Sequence, residues 1–266
     1  MIVIRINQTT MQSPPNQSPF WLESTPVTFP PTHLALPDPN GLLAIGGSLT
    51  PEWLLHAYSK GIFPWFNPEE PILWWSPNPR SVLFIDNLKI KRSLRKTIQK
   101  WHKHPNFSVT LDQDFTGVMQ ACANVPRKDQ AGTWITPAML TAYTKLHQSG
   151  HAHSVEVWQD DQLVGGLYGI AIGKMFFGES MFSKTTDASK VALVALSMQL
   201  KAWGFKLIDT QIETPHLNSL GASQISRSEF EALIKQQINQ PFNTQKWQLS
   251  QDWLQALKNH SKNPSY

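Results

Sequence analysis

The sequence predicts a mixed α/β fold, with a small aromatic-rich N-terminal module ahead of a larger domain built on a mainly antiparallel sheet. Three observations predict it. Two short apolar runs, Leu163 to Ile172 and Met175 to Met181, meet at Gly173-Lys174, a pair suited to a tight hairpin because glycine tolerates positive φ. A helix follows, with Thr186 or Asp187 at its start, an apolar face at Ala188, Val191, Ala192, Ala195 and Leu196, and Gly204 at its end. A further strand, Phe205 to Thr210, closes the unit, and the irregular interleaving of helices and strands elsewhere fits a doubly wound parallel sheet poorly.

Taken in order, residues 1–28 are rich in Pro, Gln, Ser and Thr and read as a flexible leader. Residues 29–78 form the aromatic module. In it Thr50 caps a short helix with Pro51 at its first position, Gly61 stops it, and Trp65, Phe66, Trp74 and Trp75 cluster in proline-rich text. Such aromatics are either a small core or a platform on which planar ligands stack. Residues 79–245 form the main domain. It opens with a strand at Ser81 to Ile85, a basic helix from Leu88 to His104, and a strand from Phe107 to Leu111. Asp112 or Asp114 starts the next helix; Thr136 and Pro137 start another, closed by Gly150. Strands around the turn Asp160-Asp161 lead into the central unit, and Ser226 with Glu229 makes a capping box for a late helix. Residues 246–266 are a last helix and tail.

Composition narrows the function classes. The 266 residues supply ample core, and no run approaches the length of a membrane span. One cysteine, Cys122, rules out an internal disulfide and points to a reducing compartment. The first twenty residues lack the continuous apolar segment of a secretory signal, so a cytoplasmic protein is expected. Net charge is +4, concentrated in Lys89, Lys91, Arg92, Arg95, Lys96, Lys100 and Lys103 with no acid among them. That run is either a solvated helix face or a track for an anionic partner. His151 and His153 have no third ligand at metal spacing, so no metal site is expected. There is no P-loop, and Gly165, Gly166 and Gly169 lie inside a strand rather than opening a helix, which excludes a dinucleotide fingerprint.

Two acids stand out. Glu179 lies inside an apolar strand and Asp209 between Ile208 and Thr210, where an unpartnered charge costs several kcal/mol or shifts its pKa. Each is either a buried acid held by backbone amides or a functional group. With Gln211 they would converge on one pocket if their strands are neighbours.

Seven ordered blocks, PNGLLAIGGSLTPEWLLHAYSKGIFPWF, PILWWSPNPRSVL, GTWIT, LHQSGHAHSVEVW, LVGGLYGIAIGKMFFGESMFSK, ASKVAL and LIDTQ with HLNSLGA, resemble the leucyl/phenylalanyl-tRNA-protein transferase family over roughly residues 30 to 235. The resemblance implies a catalytic domain of the GNAT-like acyltransferase type, no cofactor, and transfer of Leu, Phe or sometimes Met from tRNA to the α-amine of proteins beginning with Arg or Lys. It implies that Glu179 holds the amino group of the aminoacyl donor, while Asp209 and Gln211 orient the attacking amine and help remove its proton. Leu167, Phe176, Met181, Leu193, Leu196 and Ile208 would line the donor side-chain slot, and Trp65 and Trp134 would lie near the terminal adenosine. Lys91, Arg92, Arg95 and Lys96 then become the track for the tRNA acceptor stem. A monomer is expected. Thr210 stands where many relatives have Cys. An acyl-CoA-dependent N-acyltransferase and a non-catalytic tRNA-binding module are the competing classes.

Overall fold

Short apolar runs separated by turn residues fold here into two sheets and eight helices, described for residues 18–125, 135–242 and 247–260 of a computed structural model. The smaller sheet uses β1 (Phe20–Leu22) and β2 (Leu42–Gly46). After α1 (Pro51–Tyr58) come β3 (Phe63–Pro64) and β4 (Leu73–Trp75), giving the order β1-β2-β4-β3. The larger sheet then begins with β5 (Arg80–Phe84), α2 (Arg92–His102), β6 (Phe107–Leu111), α3 (Phe115–Ala123) and α4 (Pro137–Gln148). Next are β7 (Ala152–Gln159), β8 (Gln162–Ile172), β9 (Met175–Ser183), α5 (Ala188–Ala202) and β10 (Leu207–Gln211). The chain closes with α6 (Pro215–Asn218), β11 (Ser223–Ile225), α7 (Arg227–Gln237) and α8 (Trp253–His260).

The seven-stranded order is β11-β5-β10-β9-β8-β7-β6. Its pairs run antiparallel except β10 with β9, so the sheet is mixed. The hairpin at Gly173-Lys174 forms as expected, with Ile172 opposite Met175 and Gly173 at φ +55°. Alternation along the strands sends Phe177 and Leu207 into one core, with α1, α3, α4 and the smaller sheet. Their neighbours Phe176 and Ile208 enter the other, with α2, α5 and α8. Helix α5 lies close on the sheet because Gly165 has no Cβ; one added there would meet the Ala188 Cβ at 2.3 Å.

Several boundaries differ from expectation. The flexible leader of residues 1–28 reaches too far, because Phe20, Trp21 and Leu22 pair in parallel with Ala44, Ile45 and Gly46. Three apolar residues were enough to add an edge strand despite the proline-rich surroundings. The basic helix starts at Arg92 rather than Leu88, with a 3-10 turn at Ile85–Asn87 occupying the preceding text. Asp187 stands at the start of α5 in the left-handed region and its side chain binds Lys190 instead of capping the helix. In the N-terminal module Trp53 and Trp74 are core, packed on Phe29. No described helix is long and apolar enough to cross a membrane.

Candidate active site where two strands part

Strands β9 and β10 pair in parallel only at Ile208 with Phe176 and Asp209 with Phe177. Beyond that point the ladder stops, β9 turns its pairing wholly to β8, and a cavity of about 240 Å³ occupies the gap. Its apolar wall contains Leu167, Phe176, Met181, Leu193, Leu196 and Ile208, and its polar side contains Glu179 and Gln211. All six side chains proposed from sequence for the slot are therefore in one wall. Four of them are pinned by the sheet and two, Leu193 and Leu196, project from one face of α5.

Glu179 faces the cavity from β9 and makes three hydrogen-bond contacts. The Gln211 amide donates to Oε1 at 2.9 Å, the Tyr58 hydroxyl to Oε1 at 2.7 Å, and the Tyr143 hydroxyl lies 3.1 Å from Oε2. The two phenol oxygens are themselves 2.6 Å apart. Three oxygen contacts thus share two phenolic hydrogens when Glu179 is ionised, and one contact is left without a proton. A neutral Glu179 supplies the missing hydrogen and closes the ring: Oε2–H to Tyr143, Tyr143 to Tyr58, Tyr58 to Oε1. Burial raises the Glu179 pKa from 4.5 to about 7, the Tyr58 and Tyr143 bonds oppose the rise, and the nearby Asp209 charge adds to it. Burial and the Glu179 charge also push both tyrosines well above the usual phenol value.

Asp209 has a different setting. It is 0% exposed and does not enter the cavity wall. Arg80, itself 1% exposed, grips it with Nε to Oδ1 at 2.8 Å and Nη2 to Oδ2 at 2.6 Å. The third guanidinium nitrogen donates to the Gly61 carbonyl, and Phe63 and Phe230 pack over the cation. Oδ1 also accepts from the Gln211 backbone N–H at 2.9 Å. That bond sits at a bulge opposite β5, where Gln211 takes φ +60°. Asp209 therefore fixes the strained backbone that aims Gln211 at Glu179, and its own side chain is not part of the cavity wall. The expectation that both acids reach the pocket is corrected accordingly.

The remaining expected site residues fall elsewhere. Trp65 follows β3, half-buried beside Trp75 of β4, and is not in the cavity wall. Trp134 lies outside the described residues. Lys91, just before α2, and Arg92 and Lys96 on it are exposed, while Leu94 and Ile98 of the helix face the core; Arg95 is half-buried and donates to the Leu257 carbonyl. None of these four makes an ion pair among the described residues. His153 is engaged with Asp112 at 2.8 Å and stacked on Trp247.

Sequence reasoning missed Arg80, Tyr58 and Tyr143. Arg80 left a trace, a cation at the head of the apolar run Ser81 to Ile85. Tyr58 shares the helix face of Leu54 and so brings a hydroxyl into the core, where it needs a partner.

A family model described as leucyl/phenylalanyl-tRNA protein transferase matches residues 82–235, and one for the N-terminal domain of the same family matches residues 47–78. The chain belongs to this family. The leucyl/phenylalanyl-tRNA-protein transferase of Hydrogenovibrio crunogenus is 67% identical over 91% of this chain and 93% of its own length. That of Nitrosospira multiformis is 55% identical over 85% and 95% respectively. Among solved structures, that of L-PGS from Bacillus licheniformis aligns with 82% of this chain and 72% of its own at 11% identity and a TM-score of 0.35, too loose to inform fold or function. The family membership covers the cavity, Arg80 having its place two residues before the larger match begins.

Proposed function

We propose that this chain is an aminoacyltransferase that moves Leu, Phe or Met from aminoacyl-tRNA to the α-amine of proteins beginning with Arg or Lys, marking them for N-end rule degradation. The observation that carries this reading is an apolar slot of about 240 Å³ with a carboxyl group and a carboxamide joined at its polar edge. An aminoacyl ester is already activated, so the protein needs to hold the acyl group and an amine in line rather than form a covalent intermediate. The slot takes an aliphatic side chain unbranched at Cβ or an aromatic one, Met181 adapting to either shape.

Glu179 receives the donor's amino group, which puts a cation beside a carboxyl that gains from ionising next to it. Gln211 bridges Glu179 and the attacking amine, and Asp209 with Arg80 holds it in place. Residues Lys91, Arg92, Arg95 and Lys96 form the phosphate track, and Trp65 and Trp134 flank the terminal adenosine. We read residues 79–245 as a GNAT-like catalytic domain and residues 29–78 as a smaller one; the order hairpin, helix, strand around the slot supports that reading. A cytoplasmic monomer without a cofactor completes the picture.

Purified protein, labelled Leu-tRNA and a peptide with N-terminal Arg provide the test. Peptide labelling is expected, with Leu and Phe used well and Ile and Val poorly. Equal use of Ile would contradict the slot, and a requirement for an acyl-CoA would replace the function.

A further inference from the structure

Aminolysis at neutral pH needs a group that takes a proton from the acceptor's α-ammonium, whose ordinary pKa is about 7.7–8.0. The residues around the slot divide sharply on this point. Asp209 is sealed behind the sheet with both oxygens engaged. Gln211 is a neutral amide, and both Glu179 oxygens are already engaged with Tyr58, Tyr143 and Gln211. Apart from Glu179, the cavity lining contains one side chain that titrates near neutrality, His216.

His216 sits on α6, a short turn that follows β10 directly. The turn is fixed at both ends, with Thr214 accepting from the Leu217 N–H at 3.2 Å and the His216 carbonyl accepting from the Ser219 hydroxyl at 2.7 Å. Its side chain lies at the cavity rim with its other side open to solvent. Three other histidines, His147, His153 and His260, place a ring nitrogen on a carbonyl or carboxylate. No described residue hydrogen-bonds the His216 ring, so its basic nitrogen is available.

Resting on the function proposed above, we propose that His216 is a catalytic residue, the base that deprotonates the acceptor amine. His216 takes one proton from the α-ammonium, and the freed lone pair attacks the ester carbonyl carbon. A C–N bond forms and the C–O bond to the tRNA ribose breaks. The ribose oxygen leaves with a second proton from the attacking nitrogen, and the imidazolium returns its own to solvent. Partial burial and the Lys190 ammonium lower the His216 pKa while Asp187 opposes them, which favours the neutral ring that a base requires. Those two groups face it from the start of α5, and Glu179 is the remaining acid of the cavity.

The test compares wild-type protein with His216→Gln in transfer from Phe-tRNA to an Arg-peptide, from pH 6 to 9. A drop in kcat of about tenfold to a hundredfold is expected near pH 6.5, closing toward wild type by pH 9 as the amine loses its proton unaided. An acceptor whose nucleophile is a hydrazide, neutral across this range, should be used equally by both proteins. Equal rates for the Arg-peptide at every pH would overturn the role of His216 while leaving the function intact. A pH-independent deficit that the hydrazide shares would likewise overturn it, in favour of a packing role. A wild-type protein that labels no acceptor would remove the function and this inference together.

Discussion

Two carboxyl groups one strand apart, Glu179 on β9 and Asp209 on β10, meet opposite fates. Asp209 faces a guanidinium that matches it oxygen for nitrogen and is shut away from solvent. Glu179 faces only neutral donors and opens on the slot. A fixed cation satisfies a buried acid permanently and leaves it nothing to offer a ligand. Neutral donors hold the other in position without a counter-charge, so a cationic guest that lets it ionise is welcome there. The difference separates an acid sealed by a cation from one that borders the cavity.

The largest effect should come from breaking the permanent pair. Arg80→Leu strands an unpaired charge in the core and should cost about 3–5 kcal/mol in urea unfolding, whereas Arg80→Leu with Asp209→Leu should recover much of that loss. A single variant as stable as wild type would erase the contrast. Next comes activity. Glu179→Gln keeps shape and hydrogen bonds but not charge, and should lower kcat/KM for transfer about a hundredfold, roughly 2.7 kcal/mol, with the fold intact by circular dichroism.

The same acid has a signature in stability. Its folded pKa of about 7 exceeds the ordinary 4.5, so between those values the folded chain holds a proton that the unfolded chain has released. Stability should therefore fall as pH rises through this window, by about 3 kcal/mol at most and less where the slot admits water. Glu179→Gln should flatten that slope and be the more stable protein at pH 8; parallel curves for the two proteins would place the neutral ring of Glu179, Tyr58 and Tyr143 in error. The smallest change concerns the apolar wall. Leu196→Phe adds bulk to the apolar wall and should shift the donor ratio from Phe toward Leu about tenfold, or about 1.4 kcal/mol, in competition between the two charged tRNAs.

Local chemistry was easy to read along the chain. Gly173-Lys174 marked its own hairpin, Thr136 with Pro137 its own helix start, and the period-two pattern from Phe107 to Leu111 its own strand. The slot residues were placed through resemblance, since nothing in their spacing says that a strand face and a helix face share one cavity. What stayed hidden depends on distant partners. Arg80 and Asp209 are separated by 129 residues and Tyr58 and Glu179 by 121, so neither bond leaves a periodic trace. Asp209 stood open between a buried and a functional acid because sequence shows an apolar neighbourhood but not the cation inside it. The strand at Phe20–Leu22 was overlooked because composition averages over a window wider than three residues.

Tyr58 belongs to α1 and Gly61 to the loop after it, yet one steadies Glu179 and the other caps the Arg80 fork. The two sheets are consequently not interchangeable parts. A chimera that replaces everything before residue 79 with the counterpart from a distant relative would set foreign contacts against Glu179 and Arg80, so the larger sheet would keep its sequence and lose its tuning.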